Sequence, residues 1–387
     1  MRDIISEIDR YKDKIIQIRR HIHMYPDLSG EEKPTRDYVK GILEKEGIET
    51  RTFENNYALV AEIVKDETLP FIAFRADMDA LPIKEENHIS YASRKPGIMH
   101  ACGHDAHTAI LTGLLLFLNS RKESLKFNIR GIFQHKEEVF EGGSSDLIKE
   151  GVLENVKEIY ALHMYPYLKT GEIGYKYGEM MASADMFEVE IYGKSAHGAR
   201  PHEGVDAILT ASMAVNSINH IVSRRIDPLH PAVISFGTIE GGKAANIICD
   251  RVKLSGTVRT LNDKVRSDIK RMIQNAVEGI SKSMGAEYGF KYFYGNSELI
   301  NSAECVDKVI RSAEKIGAKP VDLMTPVMGG EDFAEYLKVV KGAYFRLGCC
   351  DKRKETCYPQ HHPKFNIDED SMITGAKILA VLALEEI

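Results

Sequence analysis

The chain has 387 residues, 43% of them hydrophobic, which suits two or three domains around a large core. Lys and Arg total 51 against 57 Asp and Glu, a net charge of -6, and no basic tract stands out; nucleic acid is therefore not an expected partner. The start lacks the apolar core of a signal peptide, and the longest apolar run, residues 111–118, is far too short to span a bilayer. A cytoplasmic protein with no membrane association is expected.

Apolar residues Ile4, Ile5, Ile8, Tyr11, Ile15, Ile16 and Ile18 recur near helical spacing, predicting a helix up to residue 20. A turn at 26–30, a helix over 33–46 and strands over 57–64 and 71–77 follow. A helical pattern covers 105–119. Strands fit 129–134 and 159–164, with a polar turn holding Glu137 and Glu138 after the first. Alternating strands and helices argue an α/β fold with a mostly parallel sheet flanked by helices. After Gly178 the order becomes strand 187–192, helix 205–223, strands 232–239 and 252–259, helix 263–284 and strand 288–293. That β-α-β-β-α-β order predicts an inserted ferredoxin-like α+β domain over 179–292. Residues 1–178 and 293–387 form the other domain, with later helices near 303–316, 332–339 and from 369, and a strand at 343–347.

Six cysteines, Cys102, Cys249, Cys305, Cys349, Cys350 and Cys357, are scattered through this long chain. They do not resemble a disulfide framework and favour a reducing compartment. Chemistry concentrates elsewhere. Met99-His100-Ala101-Cys102-Gly103-His104-Asp105-Ala106-His107-Thr108 packs a thiol, imidazoles and a carboxylate together. Thiolate and neutral imidazole are the donors a zinc-like ion prefers. On an extended segment, Cys-x-His would place both side chains on one side. A polar helix start with a small buried Cys is the plainer alternative.

Glu137 and Glu138 can divide two tasks, one binding metal and the other taking a proton from water. Glu-Glu pairs on solvated turns are also commonplace. His163 ends a predicted buried strand, a position held more often by a core or surface histidine than by a ligand. In Gln360-His361-His362-Pro363 the two rings point in different directions, so at most one ligates. Together, however, these segments offer five ligands and a spare carboxylate, the needs of a two-metal hydrolytic site. Several follow predicted strands, and sites in open α/β sheets gather at the carboxyl ends of strands.

With these motifs in order, the sequence resembles the aminoacylase/carboxypeptidase family of dimetal metallopeptidases, and within it the amidohydrolase branch. The similarity runs through Arg19-Arg20-His21-Ile22-His23, Pro26 to Ser29, Arg75 to Pro82, Met99 to Thr108 and Glu137-Glu138. It continues through Ser195-Ala196-His197-Gly198, Asn246-Ile247-Ile248, Gly330-Glu331-Asp332-Phe333 and His361 before Pro363. The resemblance implies that Cys102, His104, Glu138, His163 and His361 hold two divalent ions (zinc, manganese, cobalt or nickel), with Cys102 able to bridge. It implies Glu137 as general base and then acid, and His197 on the smaller lid domain as the oxyanion stabiliser. Asn246 and Arg259 would meet the substrate, while Asp77 and Asp105 support the site.

The implied reaction is hydrolysis of the amide of an N-acyl-L-amino acid, with a metallo-exopeptidase acting on short peptides as the alternative. A homodimer through the lid domain is also implied. Departures from the family pattern lie at Gln134-His135-Lys136, where Gln-Pro-Ala is usual, at Cys249, at the cysteine-rich loop 349–357 and at His362.

Overall fold

The computed structural model describes residues 2–384. The chain divides into two compact units. The first comprises residues 1–178, 300–325 and 332–387, the second residues 179–299 and 326–331.

The first unit is built on an eight-stranded sheet. Its order is Glu49–Thr52, Leu59–Ile63, Asn128–Gln134, Phe71–Asp77, Val156–Lys169, Gly342–Cys350, Glu172–Tyr175 and Lys319–Asp322. The four middle strands run parallel, and antiparallel pairing occurs only toward the two edges. Every residue of Phe71–Asp77 and Asn128–Gln134 is buried. Burial along the whole length of both strands is what a parallel sheet covered on both faces requires. The helices His104–Ser120 and Asp370–Leu384 are buried almost all round, so they lie inside the packed layers rather than on the surface.

Two close approaches fix these layers. A Cβ added at Gly131 would meet Leu115 Cδ1 at 2.6 Å, and one added at Gly113 would meet Ile15 Cγ1 at 2.3 Å. Buried Arg75 then ties the sheet's carboxyl edge together. It donates to Gln134 Oε1 at 2.9 Å, Asp77 Oδ2 at 2.5 Å and Asp332 Oδ1 at 2.7 Å.

The second unit is a four-stranded antiparallel sheet in the order Ala232–Gly241, Arg251–Thr260, Ser183–Tyr192, Glu287–Phe293. Helices Ala207–Arg224 and Asp263–Met284 supply the rest of its core. Phe187, Val189 and Ile191 meet Ile218, Ile269 and Ile273 there. Burial alternates along Ser183–Tyr192 and Arg251–Thr260, as period-two patterning demands. Strand order and connection give the ferredoxin-like unit expected from sequence.

The boundaries differ from those expected. The second unit extends to residue 299 because Arg266, paired with buried Asp185, also donates to Gly295 O at 2.9 Å and Ser297 Oγ at 3.3 Å. Residues 326–331 join it because Val327 N donates to Met180 O and Ala182 N to Val327 O. The cysteine expectation is also corrected. Cys350 and Cys357 form a disulfide, closing a turn in which Asp351 N meets Thr356 Oγ1 at 2.8 Å; the other four cysteines are free and buried.

Candidate metal centre

The parallel strands deliver the chemistry. Strand Phe71–Asp77 leads into Asp79, and strand Asn128–Gln134 leads into Glu137 and Glu138. His163 does not end its strand, which continues to Lys169. Arg75 pairs with Ala161, however, so His163 stands level with Asp77 at the neighbouring strand's carboxyl end. Cys102 and His104 converge by a turn rather than an extended segment. Gly103 between them has φ 96°, a left-handed conformation suited to glycine, and the helix begins at His104. His361 arrives on a loop with φ 64°, its backbone N donating to Ala101 O at 2.8 Å. Its neighbour His362 stacks on Tyr358 instead, with ring centroids 4.9 Å apart.

Donor atoms of Cys102, His104 and His163 all lie within 4.8 Å of one another. The same holds for Cys102, Glu138 and His361, and for His104, Glu137 and Glu138. Cys102 Sγ is 3.4 Å from His163 Nε2, and Glu138 Oε1 is 3.4 Å from His361 Nε2 and 3.8 Å from His104 Nε2. The five candidate ligands and the adjacent carboxylate expected from the sequence therefore come together.

Two of these atoms, His104 Nε2 and Glu138 Oε1, are buried with no hydrogen-bond partner among the described residues. Buried polar atoms are rarely left in that state, and a cation beside Cys102 would satisfy both. His104 Nδ1 is engaged by Asp79 O at 3.0 Å, and His163 Nδ1 by Met164 O at 2.9 Å. In each ring the second nitrogen is thus left facing the cluster, as oriented metal ligands are.

Protonation follows the same geometry. Burial pushes the Cys102 thiol well up and holds His163 well below the usual imidazole range. Burial would also depress His104, but Asp77 and Cys102 reverse this and raise it well above its ordinary value. A bound cation would displace those protons. Asp77 overcomes its own burial through His104, Arg75 and His107 and stays ionised. His107 is fully used, with Nδ1 2.6 Å from Asp77 Oδ1 and Nε2 accepting from Met164 N at 2.8 Å. Asp105 binds Arg19 at 3.0 Å and His23 at 2.8 Å. Asp77 and Asp105 are supports within the first unit.

Sequence reasoning missed three contributors. Asp79 braces both His104 and the Glu138 N–H, the latter at 2.9 Å. Its spacing of two from Asp77 was the available signal, because alternate residues of an extended segment share a face. Gln360 Nε2 lies 3.1 Å from His163 Nδ1 and 3.7 Å from Cys102 Sγ. Glu32 accepts the Lys136 N–H at 2.8 Å, and burial pushes its carboxyl up to about 7. His135, in the departure from the family pattern, is buried and held at about 4 by that burial, so it is neutral near pH 7.

Within the second unit, Ala196–His197 pairs with Ile247–Ile248, and Gly198 N donates to Asn246 O at 2.8 Å, so His197 and Asn246 are neighbours. Both are exposed. Arg259 lies on Arg251–Thr260 opposite Ala184 and Val233. Burial lowers its pKa, and its guanidinium packs against Gly330.

A parallel α/β sheet whose edge gathers a thiol, three imidazoles and two adjacent carboxylates defines a metal-dependent hydrolase. The profile of Peptidase family M20/M25/M40 matches residues 73–385, and the chain belongs to that family. It is 39% identical over 366 residues to the N-acetyl-L-cysteine deacetylase of Bacillus subtilis (strain 168), covering 95% of this chain and 86% of the relative. It is 39% identical over 297 residues to the N-acyl-L-amino acid amidohydrolase of Geobacillus stearothermophilus, covering 77% and 80%. The crystal structure of a Bacillus subtilis dinuclear metal binding peptidase from the M20 family superposes with a TM-score of 0.85 at 33% identity, covering 97% and 98%.

Proposed function

We propose that this chain is a metal-dependent amidohydrolase that cleaves N-acyl-L-amino acids to a carboxylate and a free amino acid. Two divalent ions would be held by Cys102, His104, Glu138, His163 and His361. The observation that carries the reading is the pair of buried atoms, His104 Nε2 and Glu138 Oε1, that have no hydrogen-bond partner among the described residues and converge beside the Cys102 thiol. The relatives' names, deacetylase and N-acyl-L-amino acid amidohydrolase, support the substrate class.

Bound divalent cations supply Lewis acidity at the carbonyl and bring the pKa of water from about 15.7 to roughly 7. Glu137, beside Glu138 and within 4.8 Å of His104, accepts the proton of the attacking water and returns it to the leaving amine. His197 stabilises the oxyanion, and Asn246 and Arg259 hold the substrate's carboxylate. Their support is the family pattern, together with the pairing that sets His197 beside Asn246. Zinc suits the thiolate best, and manganese, cobalt and nickel fit the mixed donor set.

A second copy of the chain is the proposed partner. Ile208, Leu209 and Met213 on Ala207–Arg224, and Val233 and Ile239 on Ala232–Gly241, are exposed apolar side chains of the second unit. Among the described residues no helix is long and apolar enough to cross a membrane. The proposed setting is the cytoplasm; recovery of active protein from a secreted fraction alone would refute this.

The test is a hydrolysis screen of N-acetyl, N-benzoyl and longer N-acyl amino acids with added zinc, manganese, cobalt or nickel. Turnover of at least one N-acyl amino acid, far above that of free dipeptides, is expected. Efficient cleavage of dipeptides alone would replace this reading with the exopeptidase one.

A further inference from the structure

Two segments far apart in sequence meet at the turn that carries Glu137 and Glu138. The turn after Pro26 ends at Glu32, whose side chain is fully buried. Glu32 Oε1 accepts two backbone N–H groups, from Gly30 at 2.8 Å and from Lys136 at 2.8 Å. Oε2 is buried without a hydrogen-bond partner among the described residues. Lys136 has φ 54°, a left-handed conformation that a residue with a side chain keeps only where its surroundings enforce it. Burying a carboxyl is costly, and here the group engages the residue immediately before the proposed base.

A separate brace acts on the other half of the same turn. Ser29 Oγ donates to Asp79 Oδ2 at 2.6 Å, and Glu138 N donates to that same oxygen at 2.9 Å. The Glu138 side is therefore held by Asp79 and the Glu137 side by Glu32.

We propose that Glu32 is a positioning residue for the hydrolytic reaction: by accepting the Lys136 N–H it fixes the backbone that aims Glu137. The inference rests on the reading of Glu137 as base and Glu138 as ligand. Because Asp79 holds Glu138 independently, loss of Glu32 impairs proton transfer and leaves metal binding intact.

The experiment compares metal-loaded wild type, Glu32→Ala and Glu32→Gln. Its readouts are steady-state kinetics on an N-acetyl amino acid, metals per chain by mass spectrometry, and amide hydrogen exchange in the peptide containing Lys136. A misplacement of about 1 Å can cost about 100-fold, so Glu32→Ala is expected to lose roughly 10- to 100-fold in kcat with KM nearly unchanged. It should keep wild-type metal content and exchange faster at Lys136. Glu32→Gln retains a carbonyl oxygen in the same place and should restore most of kcat and the slow exchange.

The inference is overturned if Glu32→Ala keeps wild-type kcat, if it loses metal, or if Glu32→Gln is as impaired as Glu32→Ala. Should Glu32→Ala fail to fold, Glu32→Gln and the wild-type exchange still decide, since rapid exchange at Lys136 in the wild type contradicts the bond. Full activity of Glu137→Gln brings down both readings. An inactive Glu137→Gln beside a wild-type-like Glu32→Ala brings down this one alone.

Discussion

His104 Nε2 and Glu138 Oε1 sit buried with their other atoms already directed by Asp79, and Glu137 lies next to them without being needed as a ligand. A general base typically contributes about 10²–10⁴-fold, so Glu137→Gln should lower kcat by that order. Metal content measured on the same protein should stay at the wild-type level, and a variant that turned over normally would remove Glu137 from the mechanism. A different residue governs stability in acid. Burial alone would raise the Asp105 carboxyl, but Arg19 and His23 overcome it and hold it well below the usual carboxylate range. A depressed folded-state pKa gives stability that is present above the unfolded value, about 3.9, and is lost as pH falls below it. Asp105→Asn leaves Arg19 and His23 without their charge partner and should cost about 3–5 kcal/mol at pH 7. The gap between variant and wild type in urea unfolding should narrow below about pH 4. A gap that stayed constant down to pH 3 would contradict this account.

At the scale of elements, the helix His104–Ser120 is the one on which the site depends, because its first residue is a proposed ligand. It is packed against Lys12–Met24 at Gly113, where a Cβ would lie 2.3 Å from Ile15 Cγ1. Alanine is the better helix former by about 1 kcal/mol, yet overpacking a tight core costs about 1–3 kcal/mol. Gly113→Ala should therefore lower the thermal midpoint, and a rise would show that the two helices separate without penalty. The central strands and this helix were legible in sequence because they are long, apolar and strongly periodic. The short outer strands Glu49–Thr52 and Lys319–Asp322 at the two edges, and Glu172–Tyr175 next to the second edge, were not. They are four residues each, too short for a burial pattern to show, so their pairing is decided by the strands beside them. The Cys350–Cys357 link escaped for a related reason. Spacing alone does not select partners among six cysteines, whereas the turn at Asp351 and Thr356 does.

For the whole molecule, metal binding and stability are linked, since the assembled donor cluster exists only in the folded chain. Removing metal with a chelator should abolish turnover and lower the melting temperature, and readdition of zinc or manganese should restore both. Unchanged melting with and without chelator would separate the cluster from metal binding. The proposed dimer makes its own prediction. Ile208→Asp with Leu209→Asp should shift the sedimentation mass from two chains to one, and a wild-type protein that sediments as a monomer at micromolar concentration would end that proposal.

Periodicity and composition were enough to determine a parallel α/β sheet with a ferredoxin-like insertion, because each long element carries its own burial pattern. The donor types were visible too, since Cys102, His104, Glu138, His163 and His361 are the residues metal chemistry needs. Only the tertiary structure set the His361 donor at the cluster with the His362 ring against Tyr358, and decided that Cys102 and His104 converge through a left-handed glycine. It also showed that Asp79 and Glu32 brace a turn a hundred residues away in the case of Glu32, and almost sixty in the case of Asp79. Hydrogen bonds between distant segments depend on register and layer packing, and neither is written in any local stretch of sequence.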